Sequence, residues 1–261
     1  MTLSPAIRAY DGLLLDLDGC LWVGDVPTPR APEALRALRE AGVAIAFVTN
    51  DPAPSVEAVV RKLWRLGFLA SPGEVVTVGA AVQHLLAGER DGGSAFVVGS
   101  QALVDHVADA GLRIANGSSF ADRADVVVVG GHRDFRYAEL RDAARSVARG
   151  AELLATGRDP TFPTEDGPEP GTGAILAAIE TAAGRPADRI VGKPEPPLYA
   201  AALDRLGGAT RVLAIGDRRD TDVAGALVAG LDAALVGEAL GDGPEPTLTA
   251  ASLGDLILGA G

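Results

Sequence analysis

Leu13-Leu14-Leu15-Asp16-Leu17-Asp18-Gly19-Cys20 runs three apolar residues into two aspartates one residue apart, then a glycine, and is followed by Leu21-Trp22. A short apolar run closed by a turn signal reads as a strand buried on both faces, as in a parallel sheet. In open α/β sheets ligands bind in the crevice beyond the strand carboxyl ends, so Asp16 and Asp18 lie at the edge of a candidate site. Taken alone, the pair is better read as an Asx-type turn closing a strand. A calcium loop of the form D-x-[DN]-x-[DN]-G fails, because aligning its glycine with Gly19 puts Leu14 at the first ligand position.

The rest of the chain repeats the pattern. Apolar residues at helical spacing over 29–40 stop at Gly42, and the run 43–50 reads as a second buried strand ending in Thr49-Asn50. A helix is predicted over 56–66, a strand over 74–78 and a helix over 80–86. Loop-like composition around 88–93 marks a candidate boundary. A second α/β unit follows, with strands over 95–98, 125–129 and 152–155 and helices over 101–110 and 137–149. Residues 158–171 read as a long irregular loop, a type that tends to be functional or disordered. After a helix over 172–183 come Gly192-Lys193-Pro194, a helix over 199–206, and a buried strand over 211–217 that ends in Asp217. A helix over 221–229, a strand over 232–237 and a final helical turn over 253–258 complete the reading. Alternating strands and helices predict a mostly parallel sheet with right-handed crossovers.

Composition limits the function classes. The chain has 261 residues, 48% of them hydrophobic, with a formal net charge of −12. That length allows one large domain or two modest ones. An acidic protein gains no counterion release from nucleic acid and no attraction to anionic membranes, so neither is an expected partner. The single cysteine, Cys20, excludes an internal disulfide framework and a metal-thiolate cluster. No apolar stretch approaches the ~20 residues needed to span a bilayer. The start of the sequence lacks a signal-peptide pattern, and a reducing cytoplasm is the expected compartment.

Several predicted strands therefore end in residues suited to phosphate and a hard cation: Asp16 and Asp18, Thr49 and Asn50, and Asp217. Carboxylates of this kind select an oxygen-preferring ion such as Mg²⁺, which takes one or two of them plus substrate phosphate. Lys193 would add a compact positive charge and Thr49 a hydroxyl. Singly, Lys193 is a loop lysine and Thr49-Asn50 a cap. In Gly216-Asp217-Arg218-Arg219-Asp220-Thr221-Asp222, Asp220 or Thr221 reads as a helix N-cap, and Asp217, directly after an apolar strand, as the better metal candidate.

In order and spacing, Asp16-Leu17-Asp18-Gly19, Thr49-Asn50, Gly192-Lys193-Pro194 and the Gly216–Asp222 stretch resemble the four motifs of the haloacid dehalogenase superfamily phosphatases. Thr161-Phe162-Pro163-Thr164 with Pro170-Gly171-Thr172-Gly173-Ala174-Ile175 resembles the NagD-like branch. That resemblance implies a Rossmann-like parallel-sheet core over 1–80 and 187–261, with a smaller α/β cap domain inserted over 81–186. It implies a Mg²⁺-dependent phosphatase acting on a monoester of a small phosphorylated metabolite. Asp16 would be the nucleophile that forms an aspartyl-phosphate, and Asp18 the general acid and then the general base. The ion would be held by the carboxylates of Asp16 and Asp217 and the backbone carbonyl of Asp18. Thr49, Asn50 and Lys193 would hold the phosphoryl oxygens, while Asp222 orders Lys193 or a metal-bound water. The branch also implies a homodimer formed through the cap, and a cap that closes over the leaving group, with Arg158 or His132 as contacts.

Three positions depart from the pattern. Asp51-Pro52 stands where relatives often carry a second asparagine, His132 replaces an expected aspartate, and Gly157 replaces an expected asparagine. They bear on substrate choice rather than on the core chemistry, and His132 reads by itself as an exposed loop residue. Rival readings are a phospho-acceptor signalling domain of the receiver type, a carbon-halogen hydrolase of the same fold, and a non-catalytic binding module. Receivers carry the acceptor on a later strand than their acidic pair. Halide departure needs no proton, so Asp18 argues against the second rival. The intact set of acids with Thr49 and Lys193 argues against the third.

Overall fold

The computed structural model describes residues 2–162 and 167–259. Pro163 and Thr164 of the stretch singled out above lie outside the described residues. The chain divides into two compact units, one formed by 1–49, 56–76 and 193–261, the other by 50–55 and 77–192.

In chain order the elements begin with β1 (Gly12–Asp16), the hairpin strands β2 (Trp22–Val23) and β3 (Val26–Pro27), α1 (Ala31–Glu40), β4 (Ala44–Thr49), α2 (Val56–Arg65) and β5 (Val75–Thr77). Then come α3 (Val78–Glu89), β6 (Ser94–Val98), α4 (Gln101–Asp109), β7 (Arg113–Ile114), β8 (Val126–Val129), α5 (Tyr137–Ala148) and β9 (Glu152–Ala155). The short strands β10 (Thr161–Phe162) and β11 (Glu169–Pro170), α6 (Thr172–Ala183) and β12 (Arg189–Ile190) follow. The chain ends with α7 (Pro196–Arg205), β13 (Val212–Arg218), α8 (Ala224–Val228), β14 (Asp232–Leu240), β15 (Leu248–Ala250) and α9 (Leu253–Leu258).

The first unit is built on a six-stranded sheet in the order β15-β14-β13-β1-β4-β5. β1 lies centrally and pairs in parallel with both β13 and β4, in the registers Leu15↔Ile215 and Leu15↔Phe47. A strand with parallel neighbours on both sides and covered faces must be apolar throughout, and all five residues of β1 are buried. Leu13, Leu15, Leu17, Ile45, Phe47, Leu213 and Ile215 share one core cluster with α1 residues Ala34, Leu35 and Leu38. Those three helix positions recur at the spacing that turns one face of α1 to the sheet.

The second unit is a five-stranded sheet in the order β12-β9-β8-β6-β7, parallel at every pairing. Val127, Val129, Leu153 and Ala155 of this sheet pack with Ile175, Leu176 and Ile179 of α6 in a core of their own. Both sheets are parallel and helix-alternated, so each unit is of the α/β, Rossmann-like type. Among the described residues no helix is long and apolar enough to cross a membrane.

Several segments differ from the sequence reading, which contains neither the β2–β3 hairpin nor β7. The irregular stretch 158–171 contains a short antiparallel pair, Thr161↔Pro170 and Phe162↔Glu169. The tail adds β15 to the sheet edge, in register Ala234↔Leu248. β14 runs three residues past the expected end. The helix expected over 221–229 starts instead with a π-type turn, Arg219–Val223, ahead of α8. Asp220 does not cap it; its carboxylate takes two hydrogen bonds from Arg218, at 3.1 and 2.6 Å.

Leu15 is fully buried in the central strand. Leu15→Ala is expected to cost about 2–5 kcal/mol through lost burial and a residual cavity. Urea unfolding of the wild type and the variant measures it.

Candidate active site

Site residues of the first unit stand at the carboxyl ends of adjacent strands. β1 delivers Asp16, β4 delivers Thr49, and β13 delivers Asp217 just before its last residue. Lys193 enters on the loop before α7, and Asp222 on the turn after β13. Asp16, Thr49, Lys193 and Asp222 are all buried, with 8%, 5%, 5% and 6% exposure. One carboxylate oxygen from each of Asp16, Asp217 and Asp222 lies within 4.8 Å of the others. The Lys193 ammonium sits between two of them, bonded to Asp16 Oδ1 and, at 2.6 Å, to Asp222 Oδ1.

Two glycines make this closeness fit. A Cβ on Gly216 would stand 2.2 Å from Asp222 Cγ, so the carboxylate folds back over a bare backbone. There Asp222 Oδ2 accepts the Arg218 amide at 3.1 Å, and its backbone carbonyl accepts the Tyr199 hydroxyl at 2.9 Å. Gly19 has φ +82°, and a Cβ there would stand 2.1 Å from Asp217 Oδ2. Both its left-handed backbone and the approach of Asp217 therefore require glycine.

Three acids against one ammonium leave excess negative charge in a poorly hydrated place. Burial, only partly offset by the Lys193 charge, pushes the Asp16 carboxyl up to about 8, with Asp222 and Asp217 adding to the rise. Burial, aided by the charge of Asp222, raises Asp217 to about 6. Burial alone would lower Lys193, yet Asp16 and Asp222 outweigh it and hold the ammonium firmly charged. A cluster of carboxylate oxygens at this spacing matches the donor set of a hard divalent cation, whose charge would offset that excess.

Asp18 is placed differently. Its side chain is 66% exposed. Its Oδ1 accepts the Trp22 indole N–H at 2.7 Å, and Lys62 Nζ lies 3.9 Å from the same oxygen. Neither Trp22 nor Lys62 was marked by the sequence. Trp22 reads there as core, and Lys62 reaches the site only because α2 folds back beside the β2 hairpin.

Asn50 and the cap candidates belong to the second unit. Asn50 Oδ1 would lie 2.7 Å from a Cβ on Gly192, which leaves that position to glycine. Arg158 forks onto Glu180 at 2.9 and 3.3 Å. His132 is not the exposed loop residue its sequence context indicates. Its side chain is 16% exposed, with Nε2 3.1 Å from Glu139 Oε1 and the ring edge-on to Phe135. The Gly131 amide donates to Thr172 Oγ1 at 2.8 Å, which ties this loop to the start of α6.

Comparison with known proteins gives a consistent family. A model described as haloacid dehalogenase-like hydrolase matches residues 13–113, and one described as HAD-hydrolase-like matches 190–256. D-glycerol 3-phosphate phosphatase of Mycobacterium tuberculosis is 40% identical over 230 residues, covering 88% of this chain but 63% of the relative, less than two thirds of its length. Chronophin of Homo sapiens is 37% identical over 235 residues, covering 85% of this chain and 79% of the relative. Among solved structures, a glycerol phosphate phosphatase from Mycobacterium tuberculosis in complex with magnesium superposes with a TM-score of 0.89 at 36% identity. That likeness covers 98% of this chain and 79% of the other.

The raised carboxyls set a pH dependence for the chelated protein. Asp16 and Asp217 bind protons more tightly folded than unfolded, so their stabilising protonation is complete near pH 4 and lost as pH rises through about 6 and about 8. Carboxyls held low, such as Asp125 beside Ser94, are already ionised over that window. In EDTA the thermal midpoint is expected to fall between about pH 5 and about pH 8.5, and to fall less in Asp16→Asn. Thermal melts across that range, with and without Mg²⁺, read it.

Proposed function

The chain belongs to the haloacid dehalogenase-like hydrolases, and we propose that it is a Mg²⁺-dependent phosphatase hydrolysing a phosphate monoester of a small metabolite through an aspartyl-phosphate. The observation that carries this reading is the cluster of Asp16, Asp217 and Asp222 with Lys193 bound between Asp16 and Asp222.

Asp16 attacks phosphorus with one carboxylate oxygen, and the ester oxygen leaves. A carboxylate is a competent nucleophile here because it forms a mixed anhydride that water can open. Asp18 gives its proton to the departing oxygen and takes one back from the water that attacks the aspartyl-phosphate. Its exposed side chain, unlike the buried Asp16, can meet both. Lys193 holds phosphoryl oxygens together with Thr49 and Asn50, so phosphate positioning and charge balance supply most of the acceleration. Asp222 keeps Lys193 in place. The carboxylates of Asp16 and Asp217 and the backbone carbonyl of Asp18 would hold Mg²⁺, which supplies charge neutralisation at the transferring phosphoryl group. These roles follow the family motifs residue by residue, and the buried geometry around Asp16 supports them.

The second unit is read as the cap, with Arg158 and His132 as candidate contacts to the leaving group. A small phosphorylated metabolite fits the names of the relatives. The formal charge of −12 supports the absence of nucleic-acid and membrane partners. Cytoplasmic location rests on the lone cysteine, and homodimer formation through the cap rests on the family resemblance.

Asp16→Asn is expected to lower turnover of p-nitrophenyl phosphate by at least about 10³-fold. EDTA is expected to abolish turnover in the wild type and added Mg²⁺ to restore it. Normal turnover in Asp16→Asn, or indifference to EDTA, would remove the basis for this assignment. Phosphate release under both conditions is the measurement.

A further inference from the structure

Asp18 is the exposed acid of the machinery proposed above, so its aim has to be set by something outside the buried cluster. A carboxylate with 66% side-chain exposure samples several rotamers unless a neighbour fixes one. Trp22 provides a fixed point. It is 2% exposed, its ring lies 6.3 Å from Phe68 at 50°, and its backbone carbonyl accepts the Gly19 amide at 2.7 Å. From that position its indole Nε1 donates to Asp18 Oδ1 at 2.7 Å. Lys62 Nζ lies over the indole, 4.5 Å from the ring centroid, and 3.9 Å from the same Oδ1. An ion pair this exposed is weak, so the indole does most of the positioning and Lys62 secures the indole.

Both donors address one oxygen, and among the described residues none is bonded to Oδ2. A carboxyl that accepts hydrogen bonds through one oxygen carries its proton on the other. We propose that Trp22 is a positioning residue that ties Oδ1 of Asp18 and thereby makes Oδ2 the proton-carrying atom of the reaction, with Lys62 holding the indole in register. This inference rests on the reading of Asp18 as general acid and base. In the first half-reaction the Asp16 oxygen bonds to phosphorus and the phosphorus–ester oxygen bond breaks. The proton on Asp18 Oδ2 passes to that ester oxygen, leaving an alcohol and the Asp18 carboxylate. In the second, water bonds to phosphorus, the bond to Asp16 breaks, and one water proton returns to Oδ2.

Purely structural damage and loss of proton delivery differ in their dependence on the leaving group. An activated ester departs without a proton, whereas an alkyl ester does not. The full chain with Mg²⁺ is assayed on esters running from p-nitrophenyl through phenyl to alkyl phosphate. The readout is the slope of log kcat/KM against leaving-group pKa, for the wild type, Asp18→Asn, Trp22→Phe and Lys62→Met. Trp22→Phe keeps an aromatic ring under Lys62 and against Phe68 but removes the N–H. It is expected to lose about 10-fold or more on the alkyl ester and less than about 2-fold on the p-nitrophenyl ester, steepening the slope in the same sense as Asp18→Asn. An equal loss on every ester in Trp22→Phe, with Asp18→Asn steepened, overturns the inference and leaves the role of Asp18 standing. An unchanged slope in Asp18→Asn overturns both. Should Trp22→Phe not fold, the same slope is read in Lys62→Met, where a smaller steepening is expected and an unchanged slope overturns the inference.

Discussion

A buried ammonium shared by two buried carboxylates is the constraint on which the rest of the first unit depends. Lys193 bridges Asp16 and Asp222, and Asp217 stands within reach of both acids. Burying such a group is not a source of net stability, because desolvating the charges offsets most of their attraction. The arrangement therefore reads as function carried by the fold. Burial raises the Asp16 carboxyl to about 8, and because one positive charge is too few for three carboxylates, Lys193 offsets that rise only in part while Asp222 and Asp217 add to it. A divalent cation at the same place would let Asp16 remain an anion at neutral pH, which a nucleophile requires.

The parallel sheet supplies this crowding without distorting its strands. β1, β4 and β13 are adjacent, all leave the sheet at the same edge, and each is apolar until its end. Gly19 and Gly216 then remove the Cβ atoms that would hold Asp217 and Asp222 away. Asp16 and Asp18, two residues apart, fall into opposite environments. The first is buried beside an ammonium. The second stands in solvent, tethered by a core tryptophan. Two carboxyls of the same chemical type can take separate roles because their surroundings differ that much.

Much of this was legible in the residues. Apolar runs that stop at Asp16, Thr49 and Asp217 marked strand ends directly, since a strand buried on both faces has no other way to place a polar side chain. The helix over 172–183 was equally clear, because Gly171 and Gly184 bracket its apolar spacing and Gly184 takes a left-handed C-cap. What escaped the reading was fixed by tertiary contact. Two-residue pairs such as Trp22–Val23 with Val26–Pro27 have no period to detect. The edge strand Leu248–Ala250 forms only because β14 offers it a free edge. The π-type turn after β13 follows from the side chain of Asp222 folding over Gly216, which no local propensity encodes. Lys62 follows Asp18 by 44 residues, with a hairpin, a helix and a strand between them, yet its Nζ lies 3.9 Å from Asp18 Oδ1 in space.

The central claim is that the phosphoryl group passes through Asp16 rather than directly to water. Two in-line displacements at phosphorus restore its configuration, whereas one inverts it. Turnover of an isotopically chiral phosphate monoester, with the stereochemistry of the product read after transfer, separates the two. The account predicts net retention at phosphorus. Net inversion would mean that water attacks the ester directly, and would contradict it.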